Sequence, residues 1–201
     1  MNGSRMRSAA VCLVALTLAL VGCSRDDSLA DQYRAGDNKG YIAGDFRVVE
    51  IPVAERTDPV EFDGVIEDGT PVSSDDFRGN VLVVNFWYAA CGPCIAEAPL
   101  LEEVWQQYKE QGVQFLGVNT YDSAASATAF ADDNNVTYPS VIDAGDGQVK
   151  FAFAQVTPIQ ATPTTLVLDR DGRVAARIIG QLASASILST LVDDTLAEAG
   201  S

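Results

Sequence analysis

The sequence predicts an α/β fold, a central mixed sheet flanked by helices, on three observations. "VLVVNFWY" (81–88) is a near-continuous apolar run of strand length, the pattern of a strand buried on both faces. The residues after it carry Leu100, Leu101, Val104, Trp105 and Tyr108 at helical spacing. "TTLVLD" and "RVAARIIG" flank Arg170-Asp171-Gly172, an antiparallel hairpin signal.

The elements follow in chain order. "RVVEIPV" (47–53) is a short strand, and "VEFDGVIEDGTPVS" (60–73) a hairpin turning at Asp68-Gly69, where the Gly supplies positive φ. Asp75, Asp76 and Phe77 form a turn or half-helix ending at Gly79. The strand at 81–88 reads as the centre of a mostly parallel sheet. A helix runs from about Pro93 to Gln111, kinked at Pro99 and stopped by Gly112. "VQFLGVNT" (113–120) is a second buried strand, and Ser123 caps a helix to about Asp133. "YPSVID" is a short strand, 145–147 a turn, and 148–153 a short helix. The closing hairpin and a helix over 185–199 complete a sheet covered on both faces.

The N-terminus reads as a targeting segment. Arg5 and Arg7 precede the apolar run "AAVCLVALTLALVG" (9–22), which has the plan of a secretory signal and is shorter than the roughly 20 residues of a membrane span. "LVGC" resembles a bacterial lipobox, with Val21 where Ala or Ser is commoner, and makes Cys23 the lipidated residue. This divides the chain into a signal peptide (1–22), a polar tether (23–44) and a folded domain (45–201). A lipid anchor on Cys23 supplies two-signal attachment to a membrane.

The net charge of −15 repels phosphates and argues against a nucleic-acid partner. The chain has no histidine, which removes His-based catalysis and most zinc and haem sites. With Cys12 in the signal and Cys23 capped by lipid, Cys91 and Cys94 are the thiols left. A bridge between them closes too small a loop to stabilise much. Zinc needs about four ligands, and a c-type haem site needs His where Ile95 stands. No metal and no soluble cofactor are expected.

"CGPC" instead suits redox exchange. A helix N-terminus gathers free N–H groups and partial positive charge, which lowers the pKa of a thiol placed there. Pro93 suits the first helical turn and Gly92 allows close backbone approach. Residues three apart share a face, so the sulfurs can meet. The spacing predicts Cys91 as the exposed nucleophile and Cys94 as the buried resolving thiol. Glu97 shares a face with Cys94, though spacing alone equally allows a solvated carboxylate.

"NFWYAACGPCIAEAP" (85–99) together with "ATPTTLVLDRDGRV" (161–174) resembles the membrane-anchored thioredoxin-like proteins of the bacterial envelope, the TlpA/ResA group, from about Val60 to Ala197. The resemblance implies a thioredoxin fold with an N-terminal hairpin and a central strand–helix insertion over 119–161. It makes Pro163 the cis-proline that faces the dithiol, preferred over Pro158 because a strand follows at once, with Thr162 presenting backbone to a bound peptide. It gives Glu97 a part in handling the proton of Cys94. Asn85 stands where thioredoxin has a buried aspartate, and Ala90 where many relatives carry tryptophan. Trp87 and Tyr88 either flank the dithiol as an apolar platform or pack as core. Tyr88 also stands where peroxiredoxins carry threonine three before the reactive cysteine, which disfavours peroxide chemistry.

The expected function is that of an extracytoplasmic thiol–disulfide oxidoreductase. It would reduce disulfides of envelope proteins such as apocytochrome c and be recharged by an integral-membrane electron carrier. A disulfide donor in oxidative folding is the alternative, and a non-enzymatic binding module a third reading.

Overall fold

The computed structural model describes residues 47–198. The expected signal peptide, the tether and Cys23 lie outside the described residues. Six strands form one sheet in the order β1-β8-β7-β4-β5-β6. They are β1 (Val48–Glu50), β4 (Val81–Trp87), β5 (Val113–Asn119), β6 (Ser140–Ile142), β7 (Thr164–Leu168) and β8 (Val174–Ile179). A separate hairpin pairs β2 (Asp63–Val65) with β3 (Pro71–Ser73). The helices are α1 (Gly92–Tyr108), α2 (Ala124–Asn134), α3 (Gln148–Ala154) and α4 (Ala185–Ala197). This is a thioredoxin-type α/β arrangement.

Two expectations need correction. β4 pairs parallel with β5 but antiparallel with β7, and β1–β8 and β7–β8 are also antiparallel, so the sheet is not mostly parallel. A continuous apolar run reports burial on both faces and is silent on direction. The first strand stops at Glu50, because Pro52 has no N–H to donate and Val53–Glu55 turns into a 3₁₀ helix.

β4 sorts the two cores by its alternation. Val81 and Val83 face Leu101, Val104 and Tyr108 of α1 and Leu188, Leu191 and Val192 of α4. Leu82, Val84 and Phe86 face Phe62, Phe77 and Phe153. Continuing the first face, Asn85 and Trp87 lie beneath the N-terminal half of α1. The Tyr108 hydroxyl donates to Asp193 Oδ1 at 2.7 Å, tying α1 to α4.

The turns obey their residues. Gly69 has φ +90° and Thr70 N donates to Asp68 Oδ1 at 2.8 Å, closing the hairpin. That hairpin covers the β6 edge: Glu67 N donates to the Ser140 carbonyl, and Ser140 N to Glu67 Oε2 at 2.7 Å. A covered edge is protected from pairing with another chain. α1 ends at Tyr108, earlier than expected, and Gly112 at φ +76° reverses the chain into β5. It continues through Pro99, whose missing N–H leaves the Ile95 carbonyl without its helical partner.

Candidate active site

α1 begins at the dithiol. Cys91 is its N-cap, and its Sγ accepts from Cys94 N–H at 3.2 Å. Pro93 sits in the first turn, where no donor is needed. Cys91 and Cys94 are joined in a disulfide with Cα atoms 5.2 Å apart. A thiolate at Cys91 would inherit that N–H contact and the positive end of the helix. Cys91 is not exposed as expected: both cysteines are 2% exposed. In the disulfide its sulfur is turned onto Cys94, and the two cysteines belong to one buried cluster with Trp87, Ala98, Ala127 and Phe130. Gly92 and Pro93 are exposed above it. A Cβ on Gly92 would meet nothing within 4 Å, so this glycine leaves room over the disulfide and answers no packing need within the fold.

The chain returns to the dithiol at the start of β7. The Thr162–Pro163 bond is cis, and the Thr162 carbonyl oxygen lies 4.0 Å from Cys91 Sγ. Gly180 N donates to the Pro163 carbonyl at 2.8 Å, fixing the loop on the β8 side. Thr162 is half-buried and Pro163 buried. Thr157, beside the rival Pro158, is buried and accepts from Arg177 Nη1 at 2.8 Å.

Glu97 lies one turn after Cys94 and is 0% exposed, which removes the solvated alternative. Its two oxygens accept from Asn85 Nδ2 at 2.9 Å and from Leu182 N at 2.7 Å. Asn85 Nδ2 is shared with Thr165 Oγ1 at 3.0 Å, its cross-strand partner on β7. Burial pushes the Glu97 carboxyl up to about 7, against the two hydrogen bonds that favour its charged form. A buried acid balanced near neutrality is suited to passing a proton.

Trp87 is 5% exposed and packs against Phe130 with ring centroids 4.3 Å apart and the planes tilted by 37°. It supports the disulfide from beneath, so it offers no open surface to a client. Its Nε1 donates to Ser140 Oγ at 3.2 Å. Gly117 of β5 makes this possible, since a Cβ there would overlap Ser140 Oγ and come 2.7 Å from Trp87 Nε1. A glycine inside a buried strand is the sequence signal for such a close approach. Behind Cys94, a cavity of about 10 Å³ is lined by Asn85, Tyr138 and Ser140 among others, room for about one water. Tyr88 is half-buried and its carbonyl accepts from Cys91 N at 3.2 Å. Ala90 is exposed.

Sequence reasoning missed the loop after β5. Asp122 Oδ2 accepts from Ala89 N at 2.6 Å and from Asn119 Nδ2 at 2.9 Å. It thereby ties this loop to the one leading into Cys91. A larger groove, about 980 Å³, runs between the β2–β3 hairpin and α3, with Glu61, Asp63, Asp75, Asp143 and Asp146 along it. It contains neither cysteine and is separate from the redox centre. Among the described residues no group of three or more His, Cys, Asp or Glu could hold a metal ion, and no helix is long and apolar enough to cross a membrane.

The Redoxin family model matches residues 47–191. The chain belongs to the Redoxin family. This redoxin is 38% identical over 112 residues to thiol-disulfide oxidoreductase ResA of Geobacillus kaustophilus, covering 56% of this chain and 62% of that protein. ResA of Oceanobacillus iheyensis is 28% identical over 172 residues, 86% of this chain and 78% of that protein. In the first of these comparisons the chain spans less than two thirds of its relative's length. Among solved structures, a thiol:disulfide interchange protein of the thioredoxin family from Chlorobium tepidum superposes with a TM-score of 0.64 at 26% identity, covering 72% of this chain and 99% of that one. A DsbF homologue from Corynebacterium diphtheriae gives 0.62 at 28% identity, with 78% and 98% covered.

Proposed function

We propose that this redoxin is an extracytoplasmic thiol–disulfide oxidoreductase, held at the membrane by lipid on Cys23, that reduces disulfides in envelope proteins such as apocytochrome c. The observation that carries the reading is Cys91 Sγ at the N-cap of α1, 3.2 Å from Cys94 N and 4.0 Å from the Thr162 carbonyl. The names of its relatives point the same way. In the reduced protein, the Cys91 thiolate attacks one sulfur of a client disulfide. A mixed disulfide forms and the client's other sulfur leaves as a thiolate, which takes up a proton. Cys94 then gives its proton to the Glu97 carboxylate and attacks Cys91 Sγ. The client's second thiolate departs and is protonated. Two electrons and two protons have passed to the client, and the Cys91–Cys94 disulfide remains. An integral-membrane electron carrier would restore the dithiol, so no soluble cofactor is required.

The deciding measurement is the reduction potential of the Cys91–Cys94 pair against glutathione or dithiothreitol. A value near the −270 mV of thioredoxin supports the reductase. A value near the −120 mV of DsbA would make the protein a disulfide donor in oxidative folding. Cys94→Ser separates either catalyst from a passive binding module: it should accumulate mixed disulfides with clients through Cys91.

A further inference from the structure

Tyr121 is 79% exposed, the most exposed large apolar side chain among the described residues. It does not stand on a loose loop. Asn119, fully buried, accepts from Tyr121 N at 3.1 Å and from Asp122 N at 2.7 Å through Oδ1. Thr120 N donates to the Trp87 carbonyl at 3.0 Å. With the Asp122–Ala89 bond, these contacts hang the whole turn on the segment leading into Cys91. The Tyr121 ring is held beside the Tyr88 ring, centroids 5.9 Å apart at 53°. The Tyr88 carbonyl in turn holds Cys91 N. Ile95, one turn into α1 beyond Cys91, is 44% exposed. Tyr88 is half-buried and Tyr121 stands open, and the turn keeps the Tyr121 ring against the residue whose carbonyl holds Cys91 N. Rigid aromatic side chains lose little entropy on contact and are favoured where partners dock.

We propose, resting on the oxidoreductase reading, that Tyr121 with Tyr88 and Ile95 forms the site that selects the client: an extended polypeptide with an aliphatic or aromatic side chain close to its disulfide-bonded cysteine. The occupant follows from the chemistry. A mixed disulfide forces the client cysteine onto Cys91. An extended chain advances about 3.3 Å per residue, so the cysteine's near neighbours sweep across whatever surrounds that sulfur. Tyr121 is then a substrate-binding residue, and Asn119 and Asp122 position it.

The test compares second-order rate constants for oxidation of the reduced full chain by two disulfides. One is a disulfide-linked peptide with Leu beside each cysteine, and the other is hydroxyethyl disulfide, which has no side chain to recognise. Tyr121→Ala should lower the peptide rate relative to the small-disulfide rate by about fivefold, the scale of a lost aromatic contact. Tyr121→Phe should keep the wild-type ratio. Replacing the peptide's Leu by Gly should remove the difference between wild type and Tyr121→Ala. An unchanged ratio in Tyr121→Ala, a loss in Tyr121→Phe equal to that in Tyr121→Ala, or an equal loss with the Gly peptide would each overturn the site while leaving the redox reading intact. A wild-type protein that reduces neither disulfide would overturn the redox reading itself.

Discussion

Asn85 Nδ2 donates to Glu97 Oε1 at 2.9 Å, across the space between the central strand and the helix that carries the disulfide. The amide supplies a donor where a carboxylate would supply charge, so one acid sits alone in this part of the core. The alternation of β4 turns Asn85 toward α1, and the i, i+3 spacing turns Glu97 inward with Cys94.

Stability should therefore fall as pH rises. Glu97 has a folded pKa of about 7 against an ordinary value of 4.5. The folded state holds this proton more tightly than the unfolded chain. The stabilisation is complete below about 4.5 and is lost as pH climbs through 7. A shift of this size is worth about 3 kcal/mol. Urea unfolding of the oxidised protein between pH 4 and 9 should show the decline, and Glu97→Gln should flatten it. Gln turns an N–H₂ toward one of the two donors, so its absolute stability falls while the slope disappears. A slope retained in Glu97→Gln would place the titrating group elsewhere.

Asn85→Asp should steepen the same profile. It removes the donor to Glu97 and sets a second carboxyl against the first, and two adjacent carboxyls resist joint ionisation. The pair then titrates as a unit, with one proton retained to higher pH. The variant should lose about 1–3 kcal/mol more than wild type between pH 6 and 9, the cost of a buried group whose partner is removed. Equal slopes for the two proteins would mean that the carboxyls are insulated from each other.

Gly117→Ala tests the support beneath the disulfide. The new Cβ displaces Ser140 Oγ and crowds Trp87 Nε1, which should cost about 1–3 kcal/mol by overpacking. Adding Ser140→Ala removes the overlapping oxygen and should return part of that loss, a non-additive pair visible in a double-mutant cycle. Strict additivity of the two changes would rule out the proposed clash.

Arg56 offers a test far from the redox centre. Its side chain is 3% exposed and reaches Asp169 Oδ2 at 2.9 Å and both Glu198 oxygens at 2.7 Å. It fastens the segment after β1 to the β7–β8 hairpin and to the end of α4. Arg56→Met should destabilise by about 3 kcal/mol, because the carboxylates stay behind in a partly buried site. Midpoints of urea unfolding at neutral pH would register this, and a midpoint matching wild type would show the carboxylates relax into water.

Much of the fold is legible because periodicity reports burial. β4, β5, β7, β8 and the four α-helices of the described residues fall within a few residues of where the spacing puts them, and Gly69, Gly112 and Gly172 punctuate them. Strand direction is not legible, since β4 looks alike beside a parallel or an antiparallel neighbour. The dithiol and its helix-cap geometry are also local. Cys91 and Cys94 lie three residues apart and Pro93 between them sets the first turn.

What the sequence determined by itself is therefore what neighbours along the chain control: which segments bury a face, where they turn, and that two thiols meet at a helix start. The tertiary structure alone decided which distant groups reach that place. Leu182 N meets Glu97 across 85 residues and Thr162 meets Cys91 across 71. Asp122 reaches Ala89 across 33, and Gly117 leaves the space that Trp87 and Ser140 share. These contacts depend on strand order and register, which arise from packing the whole sheet and carry no short-range pattern.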